Sequence, residues 1–142
     1  MEESTAREYV TAIHRRVSTR VFTSEPLSES QLRALQDLKP ERLGLAQLRT
    51  SFIHRPGELD QVFKGVIGNY GKTSGVSALV AFVCPRKDDW KARTECGYIG
   101  EQYVLKATAL GVGSCWNGGM FDFKKLMGLV PVGPDDQVLS LI

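Results

Sequence analysis

The chain has 142 residues, 42% hydrophobic and 24% charged, the profile of one soluble globular domain that can bury a core without disulfides or a structural metal. Eighteen basic against sixteen acidic side chains leave a formal charge of +2, too small for nucleic-acid binding without a concentrated basic face. No apolar run reaches the roughly 20 residues of a membrane span, and the acidic start MEESTAREYV is unlike a signal peptide, so a cytoplasmic protein without a membrane or nucleic-acid partner is expected.

Thr5 with Glu8 reads as a capping box opening a helix, with Ala6, Tyr9, Val10, Ile13 and Val17 at helical spacing. His14, Arg15 and Arg16 fall in its last turn, and Ser18, Thr19 and Arg20 lead into an extended Val21-Phe22. A second capping box, Ser28 with Gln31, opens a short helix with Leu32, Leu35 and Leu38 on one face, ended by Pro40. The stretch from Glu41 to His54 fits either period, although TSFIH reads as a brief strand before Arg55-Pro56-Gly57.

ELDQVFKGVIG has room for a helical turn or two, and the glycines of GNYGKTSG then hand over to SALVAFVC. That valine-rich run, bounded by Gly75 and Pro85, predicts a strand covered on both faces. PRKDDWKAR reads as a polar connection, and Thr94 to Leu110 as the longest helix, closed by Gly111 and packed centrally on the sheet, with Gly97 and Gly100 allowing a close approach. A glycine-rich link, GVGSCWNGGMFD, precedes a short helix at Phe123–Met127, the turn VPVGPDD and a final strand at Val138–Ile142.

Several chemistries drop out. Gly71-Lys72-Thr73 resembles the end of a phosphate-binding P-loop, but the position for its first glycine is Val66, and the loop opens a strand rather than a helix. Gly111-Val112-Gly113 begins like a dinucleotide fingerprint, yet position 116 is Trp116 and the segment follows a helix. Cys84, Cys96 and Cys115 contain no CxxC pair, and with His14 and His54 they make no zinc spacing, so reduced structural thiols are expected. No base is placed to activate Cys115, and Asp88-Asp89 and Asp135-Asp136 read as solvated turn residues, so no catalytic side chain is named.

Two clusters remain, each with two readings. Arg15, Arg16, Ser18 and Arg20 gather guanidinium forks and a hydroxyl within six residues, either as an anion site suited to phosphate or as cations offsetting a helix dipole. Trp116, Gly118 and Gly119 offer an aromatic face and unobstructed backbone N–H groups to a planar ligand, or simply a turn beside a core tryptophan.

Taken together, AIHRRVSTRVF, YGKTSGVSALVAFV and GYIGEQYVLKATALGVGSCWNGGMFD resemble, in this order, the nitroreductase family of FMN-dependent oxidoreductases. The resemblance covers most of the chain and looks closest to a branch with a YGxxxG-type element before the central strand; it is weak between Glu41 and Gln61. It implies an α+β fold, a mainly antiparallel sheet flanked by helices with a long central helix, as one domain over 1–142. The family's Arg-x-Ser-x-(Arg/Lys) pattern falls on Arg16, Ser18 and Arg20, with Val17 contributing backbone, and implies contacts to the FMN phosphate and ribityl chain. The family's turn falls on Trp116 to Gly119, implying a backbone N–H of Gly118 or Gly119 near flavin N5, while Tyr70 and Gly71 would line the same pocket.

The implied activity moves electrons from NAD(P)H through FMN to a nitroaromatic, quinone or similar small-molecule acceptor, in a homodimer with the flavin at the subunit interface. The alternative is a flavin-binding or ligand-sensing module of the same fold without turnover. It arises because KPERLGLAQLRTSF stands where many members carry Pro-Ser-x-x-Asn-x-Gln-Pro. A chain stopping at LSLI, where the family continues into a glycine turn and a basic segment, reads as C-terminally incomplete.

Overall fold

The run of apolar residues before Pro85 forms the middle strand of a three-stranded antiparallel sheet. The computed structural model describes residues 3–67, 73–86 and 89–142. In the sheet, β1 (Arg49–His54) and β3 (Asp136–Leu141) flank β2 (Ala78–Pro85), in the order β1-β2-β3. All residues from Leu79 to Cys84 are buried, because strand periodicity divides them between two covered faces. Leu79, Ala81 and Val83 enter a cluster with Leu59, Val62, Leu126 and Val130. Val80, Phe82 and Cys84 enter another with Ala92, Cys96, Ile99 and Tyr103. Each large side chain so buried is worth roughly 1.5–3 kcal/mol of transfer free energy, which makes β2 the strand that both layers share.

The long helix α3 (Asp89–Ala109) supplies the second of those layers. Its end follows from Gly111 at φ +74: the Gly111 N–H donates to Thr108 O and the Val112 N–H to Ala107 O, the paired bonds of a Schellman cap. Helix α1 (Glu3–Arg15) lays Tyr9 and Ala12 against Leu105 and Ala109 of α3. The other face of the sheet is covered by a 3-10 turn at Leu59–Val62 and by α4 (Phe123–Met127), which Asp122 caps by accepting from the N–H groups of Lys124 and Lys125.

Four sequence expectations are corrected. The helix α1 is under way at Glu3, so Thr5 and Glu8 lie inside its first turns and are not its cap. Helix α2 (Glu29–Gln36) has the Ser28–Gln31 capping box but ends at Asp37, before Leu38 and Pro40. Helix α3 begins at Asp89, because Ala92 and Cys96 extend its buried face into the stretch read as a polar connection. Asp136 opens β3 with its side chain 13% exposed, drawn in by Arg49 at 2.6 Å, and is not a solvated turn residue.

Candidate functional site

The residues after α1 form an extended strand that pairs on both sides. Ser18 lies parallel to Ser114, with the Thr19 N–H donating to Ser114 O at 2.9 Å. Three residues on, Val21 lies parallel to Ser74: the Phe22 N–H donates to Ser74 O at 2.9 Å and the Ser74 N–H to Arg20 O at 3.1 Å. The arginine segment, the link after α3 and the approach to β2, three segments far apart in sequence, are thereby joined.

Two glycines make these joins possible. A Cβ on Gly113 would press on the Thr19 side chain at 3.0 Å. Gly75, at φ +75, lies so close to the Phe22 carbonyl that a Cβ would overlap it. Asp60, in the 3-10 turn, fixes Gly75 from the other side, its carboxylate accepting from the N–H groups of Gly75 at 3.1 Å and Val76 at 2.7 Å.

The turn after α3 is organised by Asn117, which sequence reading passed over. Its backbone pairs with Leu141 through bonds of 2.8 and 2.9 Å, while its side-chain oxygen accepts from Gly119 N–H at 3.3 Å and Met120 N–H at 2.9 Å. The Gly119 N–H is therefore engaged, whereas that of Gly118 has no partner among the described residues. Both glycines are exposed, and a Cβ on either would meet open space. An asparagine ahead of two glycines is an Asx-turn signal that the sequence did contain.

Trp116 points inward. Its ring stacks on Phe82 at 5.8 Å between centroids, lies over Gly100 and donates from Nε1 to Glu101 Oε2 at 3.2 Å. The close approach expected at Gly100 is that of this indole, whereas a Cβ on Gly97 would meet nothing beyond its own helix backbone within 4 Å. Arg16 reaches the other Glu101 oxygen through Nε at 3.5 Å, whereas Arg20 has no acidic partner among the described residues. Val17 is 70% exposed, and Ser18 and Arg20 are exposed beside it. Burial raises the Cys115 thiol pKa and the charge of Arg20 opposes the rise, so Cys115 is not a poised thiolate.

A cavity of about 340 Å³ lies against this junction. Thr19 and Val21 line it, with Cys115 and Asn117 from the turn, Thr73 and Gly75 from the approach to β2, and Phe52 and Tyr103 from the sheet and α3. Arg16, Ser18, Arg20, Trp116, Gly118 and Gly119 are absent from its wall; the strand offers Thr19 and Val21 to it instead. Tyr70 and Gly71 lie outside the described residues. Among the described residues no cluster of metal-ligating side chains occurs, and no helix is long and apolar enough to cross a membrane.

Fold and site together define an α+β protein with an antiparallel sheet, a long central helix and an exposed arginine strand beside a glycine turn. Residues 8–135 match the family described as "Putative TM nitroreductase", and the chain belongs to this nitroreductase family. Among solved structures it is similar to a nitroreductase with bound FMN from Desulfitobacterium hafniense DCB-2, at 16% identity and a TM-score of 0.72, over 94% of this chain and 86% of that one. A nitroreductase with bound FMN from Bacteroides fragilis NCTC 9343 shares 20% identity at a TM-score of 0.69, over 94% and 85% of the two chains. The FMN-dependent nitroreductase of Clostridium difficile R20291 shares 16% at 0.70, over 93% and 83%. These likenesses bear out the expected α+β architecture. No curated protein matches the chain.

Proposed function

We propose that the protein is an FMN-dependent oxidoreductase that takes electrons from NAD(P)H and delivers them to a nitroaromatic, quinone or similar acceptor. The observation that carries this reading is the junction itself: Ser18–Arg20 and Trp116–Gly119, two segments assigned to one cofactor by resemblance, are joined through the Ser18–Ser114 pairing. Relatives of the same fold carry bound FMN. The residues fit such a group: among the described residues Arg20 is an exposed cation without an acidic partner and the Gly118 N–H has no hydrogen-bond partner, and a Cβ on Gly118 would meet nothing.

In this reading Arg20 and the Ser18 hydroxyl hold the phosphate, with the Arg16 donors beyond Nε completing the cradle. The Gly118 N–H is the donor left to the flavin ring, since Asn117 occupies its neighbour. Bound FMN supplies the two-electron chemistry, and no side chain is asked to act as acid or base. A second copy of the chain is the partner, supported by Val10, Ile13 and Val17, which form an apolar stripe on α1 and the residues following it, exposed by 56%, 58% and 70%.

The test is an FMN titration followed by the visible spectrum, with R20A beside the wild type, then NADH and NADPH oxidation with a quinone or nitro acceptor. Binding weakened about tenfold or more by R20A, with turnover in the wild type, is expected. Binding without turnover would leave the flavin-binding module, and no binding would overturn the reading.

A further inference from the structure

Among the described residues, Glu101 is the one carboxylate that touches both halves of the proposed flavin site. One oxygen stands 3.5 Å from Arg16 Nε and the other accepts the Trp116 indole N–H at 3.2 Å. Arg16 heads the strand assigned to the phosphate. Trp116 immediately precedes Asn117, whose side chain sets the turn in which the Gly118 N–H has no partner among the described residues.

The local fold explains how one side chain spans both. Gly100 lacks the side chain that would occupy the indole's place, so the Trp116 ring lies on α3 and stacks against Phe82. Glu101, next along the helix, then meets the indole edge. From the other direction, α1 packs on α3 through Tyr9, Ala12 and Leu105, which delivers Arg16, just past the end of α1, to the same carboxylate. Half-exposed pairs of this kind contribute little to stability, and the side chains of Glu101 and Arg16 are 44% and 38% exposed. With the carboxylate at Nε, the terminal donors of Arg16 have no acidic partner among the described residues and are left for an anion.

We propose that Glu101 is the positioning residue of this site, holding the Arg16 guanidinium toward the flavin phosphate and the Trp116 turn in register with the flavin ring. This rests on the FMN reading above. It separates two effects that a general loss of structure would merge. Glutamine keeps an acceptor for the indole but loses the charge that orients Arg16; alanine loses both.

The experiment compares wild type, E101Q and E101A by titration with FMN and with riboflavin, which lacks the phosphate. E101Q is expected to bind FMN about tenfold more weakly, the weight of one charge-assisted contact, with riboflavin binding and melting temperature unchanged. In an R16A background E101Q is expected to have no further effect on FMN. Chain folding and flavin are separated by the indole N–H signal of Trp116, read by NMR in a W90F background, since Trp90 is the chain's other tryptophan. That signal is expected to move in E101A and stay in E101Q. Equal weakening of FMN and riboflavin in E101Q, or none, would overturn the assignment, as would an unmoved indole signal in E101A. A wild type that binds neither flavin would overturn the FMN reading itself; should E101A fail to fold, E101Q decides.

Discussion

Gly100 and Trp116 compete for one volume: a methyl group built on Gly100 would overlap the outer edge of the indole at Cη2. The contact couples α3 to the turn that follows it, and the stacking on Phe82 carries that coupling into β2. G100A must therefore expel the indole or shift the helix. Overpacking of this kind costs about 1–3 kcal/mol, so a lower melting temperature is expected together with a changed near-ultraviolet circular dichroism band. G97A, on the same helix, would add a methyl group with nothing beyond its own helix backbone within 4 Å; it is the control and should melt as the wild type or slightly higher.

The Asp60 carboxylate holds the N–H groups of Gly75 and Val76, and the adjacent Ser74 pairs with the arginine strand. Hydrogen bonds to a charged group are worth about 1.5–3 kcal/mol each when lost from a shielded site. D60A is expected to lose stability on that scale and to raise hydrogen exchange at Gly75, Val76 and Phe22 more than at β1. Uniform exchange across all three strands would show that the clamp acts on the whole sheet and not on the strand that carries Arg20.

Much of this arrangement was legible in the sequence, and what was not has a common cause. The valine run announced β2 because burial on both faces leaves no polar residue in it, and Ser28 with Gln31 announced α2 because a capping box is local. Phe123–Met127 forms the short helix expected between the glycine-rich link and the turn VPVGPDD. Glu101 and Asp60 carry no such signal alone: their partners Arg16 and Gly75 are 85 and 15 residues away, and only the fold brings them together. The Asx turn of Asn117 is local, but its backbone pairing with Leu141, 24 residues on, is not. Trp116 was visible as an aromatic beside glycines, but its direction depends on Gly100, a vacancy on another element. The early start of α3 was hidden because Lys91, Arg93 and Thr94 are exposed while Ala92 and Cys96 face the core.

Arg49 and Asp136 join β1 to β3 across the central strand at 2.6 Å. That hydrogen bond, helped by the Gly133 N–H, holds the Asp136 carboxyl below its ordinary pKa. A depressed carboxyl contributes stability that is present above the unfolded-state value, about 3.9 for aspartate, and is lost as pH falls through the folded value. The wild type is therefore expected to lose stability below about pH 4 more steeply than D136N. Denaturant midpoints measured between pH 2.5 and 6 check this, and parallel curves for the two proteins would remove Asp136 from the account.

The thiols respond to alkali in the opposite sense. Cys96 lies among buried apolar side chains, and burial, reinforced by the neighbouring Cys84, pushes its thiol up to about 12. In the unfolded chain the same thiol ionises near about 8.5, so protons are retained by the native state and released by the unfolded one. Stability is accordingly full below the unfolded value and falls as pH rises from there toward the folded value. The expected signature is a midpoint that declines between about pH 8.5 and 10.5 in the wild type and declines less in C96A, once each is referred to its own value at pH 7. Thiol titration under native conditions should find Cys115 alone reacting at a measurable rate, since Cys84 and Cys96 are buried and Cys115 is half-buried. Fast reaction of all three without denaturant would mean that the layer between β2 and α3 opens far more readily than its packing allows.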